Sequence, residues 1–278
     1  MGIRTYYWNS RKVSTLRFFM NKVTNPSNIA FRHGNAGDIF NADLIRYIYK
    51  DEPLNKDWEG HRLLLIGSIL RVIQTGDIIN GIGWKGDDLS SREKHISEAK
   101  VYGVRGPLTR SLFEKYGADL SDLKFELDPG LLIREVYNLD LSKSTEDQVI
   151  FIPHYRDLFV YKNNYPKGVK VVNIDNKPET IANEILKAKV VYASSLHGII
   201  FAHALKKPCV FVAPQSEEPI FKYRDYYLSI GYDMPEPLKD IYSINFIQDT
   251  AILPERDFSM KDFYFPDYES LKKYKVVE

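Results

Sequence analysis

The chain is poor in the features that most quickly assign a function. Its single cysteine, Cys209, lies inside an apolar stretch and can form no intramolecular disulfide, which excludes a disulfide framework and fits a reducing compartment. No apolar run approaches the roughly 20 residues of a membrane-spanning helix, and the N-terminus has no signal-peptide core. The expectation is a cytoplasmic protein. No Cys/His spacing indicates structural zinc, and no carboxylates cluster where strands end, so no metal is expected. The phosphate-cradling G-x-x-x-x-G-K-[ST] and G-x-G-x-x-G loops are missing, as is the G-x-S-x-G elbow of esterases, which argues against P-loop hydrolysis, dinucleotide binding and an esterase triad. Acidic residues are absent from positions 1–37, where six are Lys or Arg and Tyr6, Tyr7, Trp8, Phe18 and Phe19 lie among them. Such an edge is either a solvated face beside a core or a contact for a membrane surface or a phosphorylated substrate. The whole-chain formal charge of +1 adds nothing about partners, and no nucleic acid is expected among them.

What is present reads as a soluble α/β protein long enough, at 278 residues, for two domains. The organising stretch is Val190 to Val212. Val190–Ala193 reads as a buried strand, Gly198–Leu205 as a short helix and Cys209–Val212 as a second buried strand, a unit that builds parallel sheets. Ser194, Ser195 and His197 then fall between strand end and first helical turn, where free backbone N–H groups and the helix dipole favour an anion. A serine there is either a helix cap or a ligand.

The same grammar recurs along the chain. Ile3–Trp8 reads as a first strand and Val13–Lys22 as a helix. Phe31–Asn41, with Gly34 and Gly37 flanking Asn35, reads as a loop feeding a helix from about Asn41 to Tyr49, with Asp38 its N-cap or a site carboxylate. Leu63–Ile66, Ile78–Gly83 and Lys100–Val104 read as strands, the second ending at Trp84. Arg105 sits between the third and a helix opened by Pro107 and closed by Gly117, where a guanidinium can pair with carboxylate or phosphate. Asp128-Pro129-Gly130 is a sharp turn, and polar Leu139–Asp147 is the best linker. Val149–Ile152 ends at His154 and Arg156, Val169–Asn173 is a strand, and Pro178–Ala188 a helix. Two α/β halves with polar strand ends imply a cleft between them. The expected boundaries are 1–140, 147–235, and a tail at 236–278 that packs back on the N-terminal half.

The ordered set Gly34-Asn35-Ala36-Gly37-Asp38, Tyr102-Gly103-Val104-Arg105-Gly106-Pro107-Leu108-Thr109, Asp128-Pro129-Gly130, Ile152-Pro153-His154-Tyr155 and Ser194-Ser195-Leu196-His197-Gly198 resembles the polysaccharide pyruvyl transferase family over residues 30–215. The resemblance implies a GT-B-like fold, two Rossmann-like parallel-sheet domains around a central cleft. It implies transfer of the pyruvyl unit of phosphoenolpyruvate to two hydroxyls of a glycan or lipid-linked oligosaccharide, giving a cyclic ketal and phosphate with no cofactor. It further implies His197, Arg105 and Asp38 as catalytic residues, His197 being the acid. Donor-binding candidates are His154, Arg156, Ser194, Ser195 and Gly198, and acceptor-binding candidates Asn35, Gly37 and Trp84. Many members carry arginine where this chain has Ser195, so Arg105 and Arg156 are the expected substitutes. The competing reading is a GT-B glycosyltransferase using a nucleotide sugar, with Glu217 and Asp225 as its acidic pair.

Overall fold

The computed structural model describes residues 2–278 apart from 10–12, 15, 19, 21–29, 57, 145–146, 162–163 and 246–248. The helix expected over Val13–Lys22, three of the basic N-terminal residues (Arg11, Lys12, Lys22) and part of the expected linker therefore lie outside the described residues or straddle them. Two parallel sheets form the frame. The first has six strands in the order β2-β1-β3-β4-β5-β6: β1 (Gly2–Thr5), β2 (Glu52–Asn55), β3 (Leu63–Leu64), β4 (Ile78–Asn80), β5 (Lys100–Val104) and β6 (Phe125–Glu126). The second has four in the order β10-β9-β7-β8: β7 (Gln148–Ile152), β8 (Val169–Val171), β9 (Ala188–Ala193) and β10 (Cys209–Phe211). Every ladder between these strands is parallel. Parallel sheets are covered on both faces, which is why the central strands are unbroken apolar runs such as Leu63–Ile66 rather than alternating ones.

The two sheets repeat one topology. In each, the chain starts in an inner strand, steps outward to one side, then returns to build the other side. The order reverses between β1 and β3 in the first sheet and between β7 and β9 in the second. Ligands of open parallel sheets gather outside the strand C-termini at such reversals, because the following loops part there and leave a crevice.

The helices that matter are α1 (Ala36–Tyr49), α2 (Pro107–Lys115), α3 (Asp157–Tyr161), α4 (Pro178–Leu186), α5 (Leu196–Ala204), α6 (Phe221–Ser229) and α7 (Tyr268–Lys273). Helix α1 starts five residues before the expected Asn41. Its N-cap is Asn35, whose Oδ1 accepts from the Gly37 N–H at 3.1 Å, so Asp38 stands in the first turn and is not the cap. Helix α5 is apolar and buried on all sides, as befits a helix through the middle of a molecule. The largest apolar cluster runs through it, joining Phe40 and Leu44 of α1 to Ile152 of β7 and Ile199 of α5. Residues of the tail pair with the first sheet: Ile3 bridges Val277, the Arg4 N–H donates to Val276 O at 2.8 Å, and Tyr264 lies 5.1 Å from Tyr102. No helix among the described residues is long and apolar enough to cross a membrane.

Two carboxylates of the second half tie the halves together. Asp175 accepts backbone N–H groups of Arg32, His33 and Gly34 at 2.9, 2.8 and 3.0 Å, which holds the loop before α1 in place. Asp225 of α6 accepts the N–H groups of Leu108 and Thr109 and the Thr109 hydroxyl, acting as a remote cap for α2. It also pairs with Arg105, and both side chains are fully buried. Gly106, the N-cap of α2, has no side chain to do this itself, and a Cβ there would stand 2.2 Å from Asp225 O. Removing one partner of a buried ion pair strands the other charge, a loss of about 3–5 kcal/mol. Asp225→Ala is therefore expected to lower unfolding free energy in urea by that order, and Arg105→Met with Asp225→Leu to recover most of it.

Candidate active site

The strand ends at the two reversals face one cavity of about 550 Å³. From the first sheet come Tyr6 and Trp8 after β1 and Ser68 after β3, and from the second come His154 and Tyr155 after β7 and Ser195 after β9. The N-termini of α1 and α5 open onto this cavity, since Asn35 and Ser195, their caps, both line it. Ser195 Oγ accepts from the Gly198 N–H at 3.4 Å. Each helix turns the positive end of its dipole to the cavity, so two such ends make it attractive to an anion.

The two helices approach very closely. A Cβ on Gly37 would lie 2.0 Å from the ring of His197, so glycine is needed at that position for the imidazole to fit. Gly198 likewise lets α5 settle on β7 and β9: a Cβ built there already stands 3.0 Å from Ile152 and 3.3 Å from Ala193. Both glycines, expected to bind acceptor and donor, instead set spacing, and the Gly198 N–H is engaged by Ser195.

His197 is buried against Gly37 and Phe201, and its Nε2 has no hydrogen-bond partner among the described residues. Burial, then the positive charges of Lys222 and Arg105, push its imidazole down to about 3. It is thus neutral near pH 7, a correction to the expectation of a protonated acid. His154 is also neutral: burial, then Lys222, push it down to about 3 although Glu218 opposes them. Asp38 moves the other way. Burial pushes its carboxyl up to about 7, Lys222 opposing and Asp128 adding to the rise. Near neutral pH this carboxyl is therefore divided between its protonated and ionised forms.

Positive charge comes from Arg156, one of the expected donor-binding residues, and from lysines and an arginine that the sequence did not single out. Lys222 of α6 is buried, and its Nζ donates to Glu218 Oε1 at 2.7 Å. Burial pushes this ammonium down to about 8, Glu218 opposing. Glu218 collects Lys85 Nζ at 3.0 Å, Arg156 Nη1 at 3.6 Å and His154 Nε2 at 3.9 Å as well. Burial acts to raise its carboxyl, but the positive charges around it, Lys222 foremost, outweigh that and hold it down to about 2. Arg71 lines the same cavity. The Glu-x-x-x-Lys spacing of Glu218 and Lys222 was the available signal.

Three expected ligands stand elsewhere. Arg105 is fully buried and is absent from the cavity wall; its guanidinium donates to Asp225, to Ser68 Oγ at 2.6 Å and to Trp84 O at 2.6 Å. A cation already engaged by a carboxylate, a hydroxyl and a carbonyl is a brace, not an anion receptor. Its brace holds α6, and so Lys222 three residues before Asp225. Ser194 is fully buried, accepting from the His154 N–H and donating to Asp157 Oδ2 of α3, so it fixes His154 and touches no ligand space. Trp84 packs edge-on against Phe221 and donates to Asp87 O, outside the cavity wall. The Glu217–Asp225 pair does not assemble either: Glu217 is exposed with φ of 53° while Asp225 is buried on Arg105. No group of three or more potential metal ligands occurs among the described residues.

These features define an α/β protein with an anion-attracting cavity where two parallel sheets turn their reversal points toward each other. A sequence model of the polysaccharide pyruvyl transferase family matches residues 37–216, and the chain belongs to that family. Among known proteins it is 29% identical over 153 residues to an uncharacterized protein of Acanthamoeba polyphaga mimivirus, a match spanning 53% of this chain and 51% of that one. The chain thus covers about half the length of that relative. A functionally uncharacterized protein from Klebsiella pneumoniae has a solved structure that aligns with a TM-score of 0.42 at 14% identity, over 78% of this chain and 97% of that one.

A raised carboxyl costs stability. For Asp38 the native-state value near 7 lies above the ordinary 3.8, so its protonated form stabilises the fold at low pH and that contribution is lost as pH rises through 7. Asp38→Asn is expected to raise the melting temperature relative to wild type at pH 8 and to give a smaller gain, or none, at pH 4.

Proposed function

We propose that the chain transfers the pyruvyl unit of phosphoenolpyruvate onto two hydroxyls of a sugar in a cell-surface polysaccharide or its lipid-linked precursor. The observation that carries this reading is the cavity between two helix N-termini, lined by Lys85, Lys222, Arg71 and Arg156, beside a neutral imidazole and a carboxyl raised by burial to about 7. Phosphoenolpyruvate carries a phosphate and a carboxylate, which suits several cations and two dipole ends better than one. In this reading the two sheets act as the halves of a GT-B-like cleft, the N-terminal half facing acceptor and the C-terminal half facing donor. Ser195 caps α5, and Lys222 supplies from α6 the positive charge that many relatives carry in the preceding helix turn.

The reaction starts with a proton. Asp38 delivers it to the methylene carbon, C3, which leaves positive charge at C2 that the neighbouring carboxylate and phosphate oxygens spread. The first sugar hydroxyl bonds to C2 and gives up its proton, for which the neutral His197 Nε2 is the available acceptor. The C2–O bond to phosphate then breaks, and the second hydroxyl bonds to C2 and loses its proton. One proton enters the methyl group and two leave the hydroxyls: the one taken by His197 passes to the departing phosphate and the other returns to Asp38, so both residues end as they began. The driving force resides in the donor, so no cofactor is required. The lone buried Cys209 fits a cytoplasmic setting, and the basic, aromatic N-terminal stretch fits contact with a membrane face that presents a lipid-linked acceptor.

The test is thermal unfolding with phosphoenolpyruvate, inorganic phosphate and a panel of nucleotide sugars, since a ligand that binds only the native state raises its melting temperature. The expected result is a shift with phosphoenolpyruvate exceeding that with phosphate, and none with nucleotide sugars; a shift with nucleotide sugars alone would overturn the assignment. The shift also has a pH signature. Lys222 is charged below about 8, so donor stabilisation is expected to be full near pH 7 and to decline as pH passes 8. Lys222→Arg should keep the shift at pH 9, and Lys222→Met should lose most of it at every pH.

A further inference from the structure

The Arg105 brace has one arm that ends at the cavity. Its guanidinium donates to Asp225, to Trp84 O and to Ser68 Oγ, and of these three residues Ser68 alone lines the cavity wall. The Asp225 carboxylate does not absorb the whole of the arginine's charge, because it also accepts from the Leu108 and Thr109 N–H groups and from the Thr109 hydroxyl. Arg105 still adds to the downward push on both His197 and Lys222, so its positive field reaches the cavity.

Ser68 is the outlet for that field. A serine hydroxyl has one proton to give and two lone pairs with which to accept. The guanidinium, 2.6 Å away, occupies a lone pair, and the proton meets no acceptor among the described residues. A hydroxyl whose oxygen accepts from a cation is polarised into a stronger donor. Backbone holds it in place: the Gly83 N–H donates to Gly67 O at 2.9 Å, which fastens the exit of β3 to that of β4. Gly67 also borders the Asp38 carboxyl, since a Cβ on it would stand 3.5 Å from Asp38 Oδ1. Ser68 thus offers a directed hydrogen bond beside Asp38, whereas the ammonium groups of Lys85 and Lys222 gather at Glu218.

We propose that Ser68 donates a hydrogen bond from its hydroxyl to the carboxylate of phosphoenolpyruvate, with Arg105 behind it as a positioning residue. The proposal rests on the pyruvyl-transfer reading and specifies how that donor is told from other phosphate esters. The phosphate, with the larger charge, is drawn to the two ammonium groups. The carboxylate is joined to C2, next to the carbon that Asp38 protonates, and so falls to the hydroxyl beside Asp38. Gripping it turns C3 toward Asp38. A phosphate ester without the carboxylate leaves the Ser68 proton unpaired, which makes Ser68 a specificity-determining residue.

Titration calorimetry on the full chain with phosphoenolpyruvate and with methyl phosphate tests it, because the second ligand has the phosphate and lacks the carboxylate. Wild type should bind phosphoenolpyruvate the more tightly. Ser68→Ala should weaken phosphoenolpyruvate about tenfold, the loss of one hydrogen bond to a charged group, and leave methyl phosphate unchanged. Ser68→Thr keeps the hydroxyl and should retain most of the wild-type preference. Ser68→Cys keeps an acceptor for Arg105 but is a weak donor, so it should behave as the alanine variant does. The melting temperature of each variant checks folding, and the cysteine variant carries the test if the alanine variant does not fold. Equal weakening of both ligands overturns the assignment, since the hydroxyl then only props Arg105, and so does weakening of neither. Wild type that fails to bind phosphoenolpyruvate removes the donor reading and this assignment together, whereas a wild-type preference that persists unchanged in the variants removes this assignment alone.

Discussion

The contact between Gly37 and His197 is the constraint from which the site follows. Two helices, each leaving the reversal point of its own sheet, bring their N-termini so close that one must offer bare backbone for the ring of the other. That closeness does three things at once. It points the positive ends of two helix dipoles at one cavity, it buries an imidazole so that it stays neutral, and it sets Asp38, one residue on, in surroundings that raise its carboxyl to about 7. A looser fit would admit water, let the imidazole charge and leave the carboxyl ionised, and the chemistry would lose its donor and its acceptor of protons together.

Holding two helix ends together against their like-signed dipoles requires bracing, and the second half supplies it. Asp175 neutralises the backbone N–H groups just before α1, while Asp225 caps α2 and grips Arg105. Both are carboxylates reaching across from one half to the other. The second also places Lys222, so the charge of the cavity depends on a buried pair outside its wall. Rigid support beneath and reactive groups above is the arrangement that lets a cavity hold strained protonation states.

Much of this was legible in the sequence, for identifiable reasons. Val190 to Val212 announces strand, helix and strand by its apolar runs, and the structure places Ser195 and His197 at the mouth of the helix as expected. The segments around Asn35 and His154 also reach the cavity, because strand exits in parallel sheets can go nowhere else. The Arg105 and Asp128 segments looked equivalent and are not. Whether an arginine at a strand exit meets ligand or protein depends on what another helix brings to it, and Asp225 lies 120 positions later. Lys222 and Glu218 escaped notice for the converse reason: α6 follows the last strand with no repeating signal, and only folding lays it over the cavity. Protonation states were the least legible of all, since His197 and Asp38 exchange their ordinary behaviour through burial, which local sequence does not encode.

The most direct measurement is a crystal structure of the protein grown with phosphoenolpyruvate. The account predicts phosphate and carboxylate density between the N-termini of α1 and α5, within hydrogen-bonding reach of Lys222, with C3 facing Asp38. Donor bound away from the two helix ends, or with its methylene carbon turned from Asp38, would contradict it.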